Sequence, residues 1–499
     1  MLNQRADQLP IKYPLLSLPK HLQLAVAGCV GLLLGIASLW FSPRSVLIAL
    51  AAGGLVFAIL KRPEIGLLGL LVITSSIFPE ASFPRIPIGI GTVYLPDLIL
   101  LGSLGLIVIR HLAEADFKIV RTPLDLPLLA FYGIAMLSTA SAVRQSSLTL
   151  NESLGEVRRV NSYLTFFIVT NLVREDRQIR LLWKGIFLLA AVVGAGMAAQ
   201  YFLGASVHIL PGRVEALSTE GVTFSDVTRI IPPGESLVLA AFITLTALLT
   251  LGKFKPAHIW RLLVCGLTGL AILLTFKRHY FVIVGLALLI LAYLGGGQRF
   301  KLLGCGLAAA LTIATILVLV NGALGSELSE LVSGATERLG SLADPRTFED
   351  PRSSLRWRDF EYSYALPQIA SHPLSGLGLG STYRPWVSGK DWEGYDGRSF
   401  IHNGHLHIML KSGLLGYAFL AWLSLAFLWR AYKYWQLVPD REMRALMVGC
   451  LLTYAGVLIG SVVSPILINA NWTPVIGIMM GTNEVILGRT VHGWQGRDR

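Results

Sequence analysis

Charge is scarce in this chain: Asp, Glu, Lys and Arg make up 14% of 499 residues, against 54% hydrophobic. That much apolar surface exceeds what one soluble core encloses, so a bilayer must take up the remainder. Cysteine is scarce too. Cys29, Cys265, Cys305 and Cys450 each fall inside an apolar run, without the close spacing of a metal site or redox pair, and read as small core residues. Long polar stretches are nearly missing. Apolar runs recur from residue 22 to 488 and leave one gap long enough for a folded insert, which argues for a single membrane domain. Acid is scarcer than base, with 30 Asp and Glu against 42 Lys and Arg and a net charge of +12. The surplus does not point to nucleic acid, because it sits mainly in short segments between apolar runs, the positive-inside pattern. The first run, Leu22 to Phe41, follows Arg5, Lys12 and Lys20, is long, and lacks a small-residue cleavage site; it reads as a retained helix.

Apolar stretches at 22–41, 45–60, 64–79, 94–110, 125–143, 159–173, 181–203, 234–252, 259–276, 279–295, 301–323, 403–429, 444–464 and 466–488 give an all-α polytopic membrane protein with about 12–14 transmembrane helices. With the N-terminus in the cytoplasm, the inside loops collect Lys61 and Arg62, Lys118 and Arg121, Arg174, Arg177 and Arg180, Lys253 and Lys255, Arg299 and Lys301, and Arg430, Lys433, Arg441 and Arg444; Arg497 and Arg499 close the tail. This alternation divides the chain into a cytoplasmic segment 1–21, helices with short loops over 22–323, a large extracytoplasmic loop 324–402, C-terminal helices over 403–488 and a cytoplasmic tail 489–499. Within the large loop, Glu327 to Leu342 reads as an amphipathic helix, and Gly376 to Gly380 and Trp386 to Gly397 read as turns. Outward-facing basic residues beside span ends are unusual and ask for a reason. Snorkelling or surface pairing is the ordinary one. It fits Arg278 less well, because Thr275-Phe-Lys-Arg278-His-Tyr joins two spans with almost no loop, and Arg there reaches an anionic headgroup bidentately.

Three motifs stand in order on that outer face: Lys277-Arg278; Trp357-Arg-Asp-Phe-Glu-Tyr362 followed by Ser371-His-Pro-Leu-Ser-Gly-Leu-Gly-Leu-Gly380; and Ile401-His-Asn-Gly-His-Leu-His followed by an apolar run with Gly413-Leu-Leu-Gly416. Together they resemble the O-antigen ligase and polymerase superfamily, over roughly residues 94–430 in helix order and with specific motifs between 275 and 416. The resemblance implies a membrane-embedded GT-C type glycosyltransferase, a polyprenyl (undecaprenyl) diphosphate-linked glycan as donor, a glycan or lipid A core sugar as acceptor, and no metal or other cofactor. It also implies residence in a bacterial inner membrane with the active site on the periplasmic side. Counting back from Pro373 puts the family arginine on Arg358 and its usual Trp on Tyr362; Arg356, beside Trp357, is the alternative register.

Residue chemistry leads to the same place. Inverting transfer of a sugar from a lipid diphosphate needs a base for the acceptor hydroxyl and cations for the departing diphosphate, both near the headgroup plane. His402, at the mouth of a span, suits the base, since an imidazole accepts a proton near neutral pH; Asn403 is placed to orient it or to bind glycan. Arg278 and Arg358 suit the diphosphate, because a guanidinium presents a planar fork and keeps its charge. Lys277, Arg158, Arg159 and Arg356 are further candidates for diphosphate or glycan contacts. Against each of these stands a plain structural role, as a helix cap, an interface anchor or an ion-pair partner.

Other readings are weaker. A metal at His402, His405 and His407 is disfavoured because His407 lies well round the helix from His402. Gly376 to Gly380 superficially resembles a nucleotide loop but follows no strand–helix unit. A transporter, the bicarbonate-linked alternative within the superfamily, would show many ionisable residues deep in its spans; Asp97, Glu235, Lys411 and Glu484 are the few present. A protein O-oligosaccharyltransferase also remains an alternative, and ligase and polymerase share donor and base. The partners expected are the lipid-linked donor, the acceptor sugar and membrane lipids, with no nucleic acid.

Overall fold

The computed structural model describes residues 62–75, 77–78, 83, 85–87, 92–114, 117–145, 147–204, 208–219, 222–252, 256–296, 354–388 and 397–491. The expected spans at 22–41, 45–60 and 301–323 and the amphipathic stretch 327–342 lie outside these residues. What is described is mostly helical. Helix α1 (Pro63–Thr74) precedes a short hairpin of β1 (Arg85–Pro87) and β2 (Thr92–Tyr94), then α2 (Leu95–Ala113), α3 (Asp125–Arg144), α4 (Leu150–Asn161) and α5 (Thr165–Leu172). Helix α6 (Asp176–Leu203) leads into a second hairpin, β3 (Arg213–Thr219) with β4 (Val222–Ile231), then α7 (Glu235–Leu251), α8 (Ile259–Thr275) and α9 (Arg278–Gly295). The C-terminal part holds α10 (Ser354–Ser371), α11 (Gly404–Tyr434), α12 (Arg441–Gly460) and α13 (Thr473–Val491).

Among the described residues, seven helices are long and apolar enough to cross a bilayer: α2, α3, α6, α8, α9, α11 and α12, with α8 and α11 extended by short 3₁₀ turns; α1 and α7 are shorter apolar helices. An all-α polytopic membrane protein is what the hydropathy pattern required. Several details differ from the apolar runs. The run 159–173 is not one regular helix: amphipathic α4 ends at Asn161, a 3₁₀ turn covers Ser162–Leu164, and α5 has only 8 residues. The run 466–488 opens with a 3₁₀ turn at Ile466–Ile468, and its helix starts at Thr473. Both hairpins lie in or beside segments that the hydropathy pattern leaves as connections between apolar runs; such segments carry little signal of their own.

Helix α7 is the central post. Nearly every residue from Glu235 to Leu251 is buried, as an all-round apolar helix must be, and it packs against α6, α8, α9 and α12. Small residues set the close contacts. Gly477 and Gly481, one turn apart on α13, let that helix rest on the backbone of α5 at Phe166, where any Cβ would come within 3.0–3.1 Å of it. This is the small-xxx-small device of helices in lipid.

Four ionisable groups of the described apolar runs have charged partners. Asp97 pairs with Arg158 at 2.9 Å, Glu235 with Lys277 at 2.5 Å, Lys411 with Glu156 at 3.8 Å, and Glu484 with Arg430 through two bonds of 2.8 and 3.0 Å. Such pairs are what a low-dielectric interior demands of charges it keeps.

Polar contacts sort the loops into two ends. Phe117 to Val120, Asn171 to Arg180, His258 to Arg261, Asp440 to Glu442 and Arg489 are linked to one another: Arg174 to the Lys118 carbonyl, Arg180 to Asp440 and Glu442, Arg261 to Glu442, and Arg489 to Asp176. Both hairpins, the 276–277 turn, α10 and residue 402 gather at the other end, through Arg158 to Thr92, Arg229 to Thr275 and His402 to Glu361. The Lys and Arg pattern along the chain leads one to expect the first of these ends in the cytoplasm and the second outside. A membrane-impermeant maleimide should therefore label intact cells carrying Ser388→Cys and spare Gln436→Cys, two exposed positions; labelling of Gln436→Cys alone would invert the map.

Candidate functional site

The first helical half of α11 begins at Gly404 because Asn403 caps it: its side-chain oxygen accepts from the backbone N–H of His405 and Leu406, both at 3.0 Å. Its amide also donates to the Tyr362 hydroxyl at 3.1 Å. Asn403 thus sets where the helix starts, and the imidazole of His402 is oriented by another residue. Glu361, 1% exposed on α10, accepts from the His402 backbone N–H at 2.8 Å and meets His402 Nδ1 at 2.8 Å; the Trp357 indole N–H donates to it at 3.0 Å. Three donors converge on two carboxylate oxygens, which pins the ring. With Nδ1 donating to Glu361, Nε2 is left as the basic nitrogen. The imidazole side chain remains 39% exposed, so that nitrogen is reachable from outside.

Glu361 had no place in the sequence reading, although a signal existed. Trp357, Arg358 and Glu361 stand at i, i+1 and i+4 on one helix, so Glu361 shares a face with both, whereas Asp359 turns away and is exposed.

Arg278 is the first residue of α9, and its position follows from a tight turn. Phe276 caps α8 with φ 49°, a left-handed conformation that costs a β-carbon-bearing residue on the order of 1 kcal/mol or more. Phe276 is the one non-glycine with positive φ among the described residues. The turn brings Lys277 onto Glu235 and leaves Arg278 at a helix N-terminus, where backbone N–H groups and the macrodipole favour an anion. Arg358 donates to the Val463 carbonyl at 3.1 Å. Burial acts to lower its pKa, and the Arg278 charge nearby acts in the same direction, though a guanidinium stays protonated. The hub is the turn after α12: Gly404 N–H donates to the Ser461 carbonyl at 2.6 Å, Arg358 holds Val463, and Gly460 lies against His279. His402, Arg278 and Arg358, far apart in sequence, are thereby gathered around residues 460–463.

The remaining candidates divide. Arg158 is committed to Asp97 and the Thr92 carbonyl and stacks over Tyr94 at 4.2 Å; Lys277 is committed to Glu235. Arg356 is exposed, away from the hub that Arg358 occupies. Arg159 is half-buried and acts electrostatically on the Glu156–Lys411 pair. His405 bridges helices, with Nε2 on the Leu458 carbonyl at 2.9 Å and Nδ1 near the Tyr417 hydroxyl at 3.2 Å. His407 is fully buried and faces Glu156 at 3.5 Å. Among the described residues no three His, Cys, Asp or Glu side chains stand as a metal-ligand group.

Behind His402, α11 is broken. Gly413 has φ 69° and ψ 178°, outside any helical geometry, and the freed carbonyls find partners in the glycine loop. Leu377 N–H donates to the Leu410 carbonyl at 2.8 Å, Gly378 N–H to the Lys411 carbonyl at 2.9 Å, and Leu414 N–H to the Pro373 carbonyl at 2.7 Å. The loop needs glycine twice over: Gly376, Gly378 and Gly380 have φ of 65°, 86° and 91°, and a Cβ on them would stand 2.5–2.9 Å from Gly413, Ala142 and Glu152. Gly380 N–H then donates to Glu156 at 2.8 Å. Glu156, on α4 outside the seven spans, was not anticipated. Burial works to raise its pKa, but Lys411 and then His407 outweigh it and hold the carboxyl down at about 2. Because the folded value lies below the ordinary 4.5, this group's stabilisation is complete above about pH 4.5 and is lost as pH falls toward about 2. Thermal unfolding of the purified protein should drop between pH 5 and 3. Glu156→Gln should be less stable at pH 6 and lose less over the same interval; equal slopes would remove Glu156 from the ledger.

No curated protein matches the chain. Residues 262–421, which run from α8 through the Arg278 turn, α10 and the glycine loop into α11 beyond Gly413, match the family described as O-antigen ligase, and this match supports the resemblance to the O-antigen ligase and polymerase superfamily.

Proposed function

We propose that the protein is an inverting glycosyltransferase that moves a glycan from a polyprenyl diphosphate to a sugar hydroxyl at the outer face of the membrane, as a surface-polysaccharide ligase or polymerase. The observation that carries this reading is the His402–Glu361 pair, beside two arginines gathered from α9 and α10. Glu361 fixes Nδ1 as donor, so His402 Nε2 takes the proton of the acceptor hydroxyl as its oxygen attacks the anomeric carbon. The bond from that carbon to the diphosphate oxygen breaks, and the electron pair leaves with the diphosphate. One displacement inverts the anomeric centre. Arg278, with the N-terminus of α9 behind it, and Arg358 receive the charge that builds on the leaving group. No metal enters the scheme, so transfer should persist in excess chelator.

The arrangement supplies the reason for two grooves of chemistry to meet at one turn. Donor phosphates belong near Arg278 and Arg358, at the headgroup plane, while the acceptor approaches the exposed edge of His402. The acceptor could be a core sugar or the end of another lipid-linked chain; base and donor site would serve both.

Consumption of lipid-linked glycan, measured at matched expression, separates these roles. His402→Ala should lower the rate by about 10²–10⁴-fold. Glu361→Gln should lower it less and alter the pH profile, since it acts through the imidazole. Arg278→Ala and Arg358→Ala should each cost roughly 2–4 kcal/mol of transition-state stabilisation, with Lys a poor substitute for either. His405→Ala should act through stability alone. Wild-type rates for His402→Ala, or for the two arginine variants combined, would end this assignment, and restoration by Mg²⁺ after chelation would move the protein to another transferase class.

A further inference from the structure

At the end of the bundle opposite His402, a cavity of about 310 Å³ opens between α6, α7, α8 and α12. Its size falls at the lower end of the range for small-ligand sites, about 300–1,000 Å³. Arg180, Lys184, His258 and Arg261 line it together with Trp183 and Trp260, and Phe187, Leu248 and Met443 form an apolar floor. Two carboxylates face these cations. Glu442 is shared among Arg180, Arg261 at 2.9 Å and His258 at 3.8 Å, and Asp440 pairs with Arg180 while also capping α12 by accepting from Glu442 and Met443 N–H. Lys184 is exposed and has no ion pair among the described residues. Arg180, Arg261 and Lys184 thus outnumber Glu442 and Asp440 before His258 is considered.

Two buried donors remain unused. Arg261 has a side chain only 9% exposed, yet among the described residues its Nε has no hydrogen-bond partner, and neither does His258 Nδ1. Leaving a buried guanidinium N–H unpaired costs on the order of a hydrogen bond to a charged group, so an acceptor belongs there. The backbone points the same way. α8 begins at the cavity, with His258 and Trp260 in its lining, so one positive helix end faces it, while the first N–H groups of α12 are already taken by Asp440. Cations, a helix N-terminus and unpaired N–H groups together select an oxyanion. The tryptophans and apolar floor, at the level where spans leave the bilayer, select one that carries an acyl chain.

We infer that this cavity binds the phosphodiester headgroup of an anionic membrane lipid, on the face of the bundle away from the glycosyl-transfer site. The phosphate oxygens accept from Arg261 Nε and Lys184 Nζ, and the glycerol and first acyl carbons lie against Phe187 and Met443. The site is independent of the transfer chemistry.

Native mass spectrometry of the purified full-length protein, with phosphatidylglycerol or phosphatidylcholine added, tests it. The wild type should hold one phosphatidylglycerol under conditions that strip phosphatidylcholine. Lys184→Glu, a change at an exposed position that preserves folding, should weaken retention about tenfold. Trp260→Ala should weaken it through the apolar contact, and inorganic phosphate at millimolar concentration should not displace the lipid. Equal retention of the two lipids, or an unchanged Lys184→Glu, overturns the site. Displacement by inorganic phosphate overturns the lipid as ligand in favour of a free anion.

Discussion

The break in α11 at Gly413 is the constraint on which the site rests. A helix interrupted inside a bilayer exposes backbone carbonyls that lipid cannot satisfy, and each would cost several kcal/mol if left alone. Here the segment from Pro373 to Gly378 supplies the missing N–H donors and receives one from Leu414. The loop therefore cannot drift. It is threaded against α3 through Ser138, whose hydroxyl donates to the Lys411 carbonyl, and through Thr139, whose hydroxyl accepts from Leu379 N–H. It reaches α4 at Glu156, and with it the loop side of the site is tied to the bundle.

From that anchor the geometry of the chemistry follows in both directions. The half-helix before the break carries His402 at its mouth, fixed by the Asn403 cap and by the hydrogen bond from Gly404 to Ser461. Helix α10, running directly into the glycine loop, presents Glu361 to His402 and Arg358 to Val463. The Phe276 turn on the opposite side presents Arg278. None of these three elements is rigid alone; α10 in particular has no apolar face strong enough to bury by itself. They become rigid by sharing partners at residues 460–463, which is how groups that must act within a few ångströms are held on separate stretches of chain.

Charge inside the membrane is used structurally as well as chemically. Glu484 with Arg430, Glu235 with Lys277, and Asp97 with Arg158 are each closed pairs, fixed joints between neighbouring elements. Their closure speaks against a transport path through them, because a path needs groups that exchange partners. Lys277 and Arg158, attractive as anion ligands on position alone, are in this structure joints of that kind. Arg278 and Arg358 differ in kind, since each belongs to the elements that meet at the hub with His402.

The sequence by itself determined the class of protein, and it set an expectation of sidedness. Hydropathy is a sum over about 20 residues, and Lys and Arg report on the loops that hold them, so both signals are local and survive without a structure. It also determined which residue types could carry the reaction, because His402, Arg278 and Arg358 sit in motifs whose chemistry is legible from the side chains. Tertiary structure decided the rest. That Glu361 and not Asn403 orients His402 depends on how α10 lies across α11, and no spacing within one helix encodes a contact between two. That α11 breaks at Gly413 depends on partners for its backbone groups found elsewhere in the chain, from Pro373 to Gly378, and the turn at Ser162–Leu164 is held by the Tyr163 hydroxyl, which donates to the Leu467 carbonyl. The glycines of 376–380 were visible as a turn, but their reason, close contact with three helices, exists only once those helices are packed.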